Sequence, residues 1–84
     1  MNPLSSTSRG EERLEGQLEE QLGGLAMRFR STRSNVERRS IAREYAQTVT
    51  RLIRSGNWLE MPAPEDQLPD DWMPEEFFEY WSGR

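Results

Sequence analysis

The stretch that decides the fold runs Ser34-Asn35-Val36-Glu37-Arg38-Arg39-Ser40-Ile41-Ala42-Arg43-Glu44-Tyr45-Ala46-Gln47-Thr48-Val49-Thr50-Arg51-Leu52-Ile53-Arg54-Ser55-Gly56. Ser34 with Glu37 has the spacing of a capping box, in which each side chain satisfies a backbone N–H left over at a helix start. Gly56 stands where a helix commonly ends in left-handed backbone. Arg51 and Arg54 fall in the last turn, where cations suit the negative end of the helix dipole. Between these limits Ile41, Tyr45, Thr48, Val49 and Leu52 recur at helical spacing and make one buried face, widened by Ala42, Ala46 and Ile53. The spacing predicts an amphipathic helix from Ser34 to about Ser55.

Upstream, Leu14, Leu18, Leu22, Leu25 and Phe29 form a second apolar stripe at spacings of four, four, three and four. They predict a helix from about Arg9 to Arg30, with Ser8 and Glu11 as its capping box and Glu11, Glu12, Glu15, Glu19 and Glu20 on its outer face. Gly16, Gly23 and Gly24 each weaken it by up to about 1 kcal/mol relative to alanine. A break at Gly23-Gly24, with residues 25–30 as a short alternating strand, is the competing reading. Residues 1–8 are rich in serine and threonine and lack periodicity, so they are expected to form a disordered arm. Residues 30–33 supply the turn between the helices.

Downstream, Pro62, Pro64 and Pro69 prevent a regular helix over 57–73, which reads as an extended acidic connector. A short helix is expected over 74–81. Pro74 suits a first turn, Glu75 and Glu76 favour the positive helix end, and Ser82-Gly83 stops it. The fold class that follows is all-α: a hairpin of two amphipathic helices, a proline-rich connector and a short aromatic helix packed across them. It makes one small domain over residues 9–84.

With 84 residues, 33% apolar and 31% charged, the chain has a modest core. It has no cysteine, histidine or lysine. Thiolate and imidazole chemistry, Cys or His metal ligation, Schiff bases and the phosphate-gripping lysine of a P-loop are thereby excluded. Paired carboxylates such as Asp70-Asp71 and Glu75-Glu76 would need a cleft and a raised pKa to do glycosidase-type chemistry, and so short a chain has no room for one. No calcium-loop spacing accompanies the acids. The reading is of a non-enzyme with no catalytic residues, no metal site and no cofactor. No apolar run is long enough to span a membrane, and the N-terminus lacks a signal-peptide core, so a cytoplasmic location is expected.

Charge is sharply divided. Residues 28–54 carry eight arginines against Glu37 and Glu44, whereas residues 57–84 carry eight carboxylates against Arg84. All three tryptophans lie in the acidic part. In the middle helix Arg38, Arg39, Arg43, Arg51 and Arg54 have no acidic residue three or four positions away, so that helix does not neutralise its own cations. Three destinations compete for them: solvent, the chain's own acidic segment, and an external anion. In the last helix Met73, Phe77, Tyr80 and Trp81 share one side, with Phe78 and Trp72 off it.

These aromatics have two readings: the last helix covers the groove between the first two, with Trp58 and Trp72 pinning the connector down, or, since they stand among carboxylates, the segment docks onto a larger protein with a basic, partly apolar surface. The expected contacts are Trp58, Trp72, Phe77, Phe78, Tyr80 and Trp81 as anchors, with Asp70, Asp71, Glu75 and Glu76 steering association. The chain would then serve as an adaptor, assembly factor or inhibitor. A homodimer through the leucine stripe of the first helix is a further expectation. One alternative is a small regulatory protein that binds nucleic acid through the arginine helix, although the net charge of −4 and the competing acidic tail disfavour it. In outline that organisation resembles small bacterial antitoxins, without any of their motifs; the resemblance implies a tail that mimics phosphate or neutralises a toxin. Another is a small structural subunit of a larger complex. Membrane binding is disfavoured by the carboxylates.

Overall fold

The computed structural model describes the backbone of residues 3–56 and 58–83, and side chains from Gly16 onward with the same omission. The fold is all-α. Helix α1 spans Pro3–Ser31, α2 spans Asn35–Ser55 and α3 spans Glu75–Ser82, with a single 3₁₀ turn at Pro64–Asp66 in the connector. Helices α1 and α2 form the hairpin. The 3₁₀ turn packs on α1, and α3 packs on α2.

The middle helix starts and stops where its sequence places it. The Ser34 hydroxyl accepts from the Glu37 N–H at 3.2 Å, as the first half of a capping box requires. The second half is modified. The Thr32 hydroxyl donates to the Glu37 carboxylate at 2.7 Å, and the Thr32 Oγ1 in turn accepts from the Ser34 N–H at 3.2 Å. Thr32 therefore stands between the two capping residues and fixes the angle of the hairpin turn. Gly56 closes α2 with φ of 77°, the left-handed conformation that glycine adopts without a Cβ penalty. Ile41, Tyr45, Thr48, Val49 and Leu52 are all buried, which is the face the periodicity predicts.

The first helix is longer than its sequence suggests. It begins at Pro3 and runs unbroken to Ser31. Ser8 lies inside it and is not its cap, and the backbone of residues 3–8, expected to be a disordered arm, is helical; residues 1 and 2 lie outside the described residues. Proline is compatible with the first helical turn because an N–H there has no intrahelical partner. The competing strand over 25–30 does not form, and Gly23-Gly24 does not break the helix. Tertiary packing explains this: Leu18, Leu22, Leu25, Ala26 and Phe29 are buried on the hairpin core, and burying several large side chains outweighs about 1 kcal/mol per glycine. The leucine stripe is thus spent within the chain from Leu18 to Phe29, which removes the surface that argued for a dimer through this helix. Leu14 lies outside the described side chains.

Gly23 has a specific use. A Cβ there would stand 3.0 Å from the Asp66 carboxylate, so the missing side chain lets the 3₁₀ turn lie close against α1. Gly16 and Gly24 face open space. Gly24→Ala and Gly16→Ala are therefore each expected to raise the unfolding free energy by about 0.5–1 kcal/mol in urea titrations. Gly23→Ala is expected to gain clearly less or to lose stability, because Asp66 must move.

Candidate protein-docking surface

The acidic-aromatic segment packs as the third part of the core. Trp58, 1% exposed, is the centre of an aromatic cluster. It stacks on Tyr80 at 5.5 Å between ring centroids and meets Trp81 and Phe77 edge-on at 5.0 and 6.1 Å. The Tyr80 hydroxyl donates to the Trp58 carbonyl at 2.7 Å, tying α3 to the start of the connector. Further along, Trp72 meets Phe29 of α1 edge-on at 5.3 Å. Leu68, Met73 and Phe77 are buried in the same core.

Of the aromatic residues expected to contact a partner, Trp58 and Phe77 are therefore core, and Trp72, Tyr80 and Trp81 are partly buried against it. Phe78 alone of these is exposed, at 42%. Its position off the apolar side of the last helix was the sequence signal for this. At 100° per residue Glu75, Phe78, Glu79 and Ser82 share the outer side of α3, and all four are exposed. Asp70 and Asp71, in the turn that leads into α3, are exposed too. The result is one protruding phenyl ring on an acidic surface. Glu79 was not among the expected contacts, although its helical spacing from Glu75 placed it there. Leu59 and Met61, exposed in the connector, were also missed; no periodicity marks them.

Among the described residues the carboxylates after Gly56 form no ion pair with the arginines of the middle of the chain. Among the described residues the one ion pair is Arg28–Glu44, at 3.9 Å, between α1 and α2. Arg30 reaches the connector, but it donates to the Glu65 backbone carbonyl and not to a carboxylate. Arg38 does not belong with the other cations of α2. It is half-buried, donates to the Asn35 side chain and the Thr32 carbonyl at 3.1 Å each, and lies over the Phe29 ring at 5.9 Å. Arg38 completes the hairpin turn, and sequence spacing could not show this because its partners lie in the turn and on α1. Arg39, Arg43, Arg51 and Arg54 are exposed, and none forms an ion pair with a described carboxylate. Of the three destinations open to these arginines, the structure leaves solvent or an external anion.

Among the described residues no group of acidic side chains is arranged to hold a metal ion, and no helix is long and apolar enough to cross a membrane. Compared with protein-family models, curated proteins and solved structures, the chain finds no match.

One buried polar group controls how the connector sits. Tyr45, fully buried on α2, donates its hydroxyl to the Asp66 carbonyl. Burial, with the Asp66 charge as a lesser cause, raises its pKa well above the ordinary value near 10. Below that ordinary value the phenol is protonated in both folded and unfolded chains, and its contribution is complete. Above it the unfolded chain releases the proton while the folded chain keeps it, so stability falls as pH rises. Tyr45→Phe is expected to cost about 1–2 kcal/mol at neutral pH and to flatten the decline above about pH 10, as read by denaturant unfolding followed through tryptophan fluorescence.

Proposed function

We propose that the chain is a non-enzymatic interaction protein of the cytoplasm. It docks onto a larger protein whose surface is basic and partly apolar, and it serves as an adaptor, assembly factor or inhibitor. The observation that carries this reading is the outer side of α3: Phe78 exposed between Glu75 and Glu79, with Asp70 and Asp71 exposed in the turn before the helix and no described arginine paired to any of these carboxylates. A phenyl ring kept in water while Trp58 and Phe77 are buried suits an anchor. Carboxylates around it raise the association rate with a cationic surface and discriminate against acidic ones. Trp72, Tyr80 and Trp81 support this surface from below.

Deleting the segment from Trp58 onward would remove part of the core, so point substitutions are the suitable test. Phe78→Ala with Glu75→Arg changes only exposed side chains. Affinity purification from the native host should recover partners with the unaltered protein that are lost with the double variant, while circular dichroism shows the fold retained. Identical partner sets would rule the surface out.

A further inference from the structure

The exposed side of α2 carries a charge arrangement that the proposed docking surface does not use. Measured round the helix, Arg39, Arg43, Ala46, Thr50 and Arg54 lie within about 80° of one another. Arg39 and Arg43 stand near the start of α2; Arg54 stands near its end. Beside Arg54, α3 contributes Glu76 and Glu79, which with Thr50, Ile53 and Tyr80 line an open groove of about 340 Å³. One continuous face therefore has two unpaired cations at one end and, at the other, two carboxylates beside Arg54, so the ends carry opposite net charge, +2 against −1. Ala46 and Thr50, small and half-buried, lie between them. The Thr50 hydroxyl donates to the Ala46 carbonyl at 3.0 Å, so the centre of the face holds no unsatisfied hydroxyl. Arg39 and Arg54 are separated by roughly 22 Å along the axis.

We infer that this face binds a second copy of the chain, with the two α2 helices antiparallel about a two-fold axis near Ala46 and Thr50. Antiparallel pairing carries Arg39 and Arg43 of each copy to Glu76 and Glu79 of the other, twice per dimer. The small central residues let the helices approach closely, and Ile53 adds apolar area beside them. Because the same patch serves on both copies, the contact closes at two subunits and does not propagate. Net charge does not prevent it: at about 0.1 M salt interactions are screened beyond about 10 Å, so the facing patches respond to one another and not to whole-chain repulsion. Glu75 and Phe78 lie toward the other side of α3 and stay free; Glu79, which borders both faces, is the residue that this dimer shares with the docking surface proposed above.

Sedimentation equilibrium of the full chain tests the pairing. The unaltered protein should reach twice the mass of one chain at about 0.1 M salt, the low-salt condition here, and dissociate at about 1 M. R39E/R43E alone and E76R/E79R alone should each weaken association by about tenfold or more, since either change puts like charges at both junctions. Mixing the two variants, or combining all four substitutions in one chain, should restore the dimer. Far-ultraviolet circular dichroism of each variant confirms that only exposed side chains were changed. A protein that stays monomeric at low salt overturns the inference, as does growth beyond two copies or failure of the mixed variants to associate. A monomer that instead shifts duplex DNA through Arg39 and Arg43 also overturns it and assigns the face to phosphate. None of these outcomes touches the Phe78 surface, whose test reads other partners.

Discussion

Burial of Trp58 is the interaction on which the rest of the structure depends. A two-helix hairpin of this length presents too little apolar surface to close a core, and much of its composition is charged. Trp58 sits at the first bend after α2 and supplies what is missing. An aromatic of this size removes about 150–250 Å² from water, worth roughly 4–6 kcal/mol as an upper bound. It also organises the chain that follows: its ring is the platform for Tyr80, Trp81 and Phe77, and its carbonyl accepts from Tyr80. Without it α3, only eight residues long, would have little to hold it helical, since so short a segment does not propagate by itself in water.

The connector that joins Trp58 to α3 lacks regular hydrogen bonding, so it is held at discrete points. Tyr45 fixes Asp66 from α2, Arg30 fixes Glu65 from α1, and Gln67 bonds back to the Pro62 carbonyl at 2.7 Å. Gly23 supplies the space the 3₁₀ turn needs. Each of the three hydrogen bonds joins a side chain, from α1, from α2 or from the connector itself, to a backbone carbonyl of the connector. The opposite charges of the two halves play almost no part in this. Backbone carbonyls and apolar rings hold the acidic segment down, and its carboxylates other than that of Asp66, which lies against α1 at Gly23, remain turned to solvent.

That division separates stability from recognition. Stability comes from tryptophan, tyrosine and the leucine stripe, all inside. Arg39, Arg43, Arg51 and Arg54 of α2 and the carboxylates of α3 are left outside with no ion pair among the described residues, where surface pairs would add little to folding. Charges that contribute little to the fold are available for contacts with other molecules. The two flanks of α3 then differ: Glu75 and Phe78 face away from α2, whereas Glu76 and Glu79 border the arginine face.

Local chemistry made much of this legible in the sequence. The Ser34 cap, the Gly56 stop and the buried face from Ile41 to Leu52 are properties of a single helix, and periodicity with capping rules suffices for them. The prolines announced the connector, and the offset of Phe78 from its neighbours announced its exposure. The sequence by itself thus determined the three helices, their inward faces and the separation of charge. Tertiary structure alone decided that α1 runs through Gly23-Gly24 to Ser31, that Arg38 closes a turn, that Trp58 packs in the core and not on a partner, and that, among the described residues, the arginines of α2 do not meet the carboxylates of the last segment. The physical reason is common to all four. Each depends on distance between elements remote in the chain, and neither helical period nor composition encodes how closely two packed surfaces bring their side chains together.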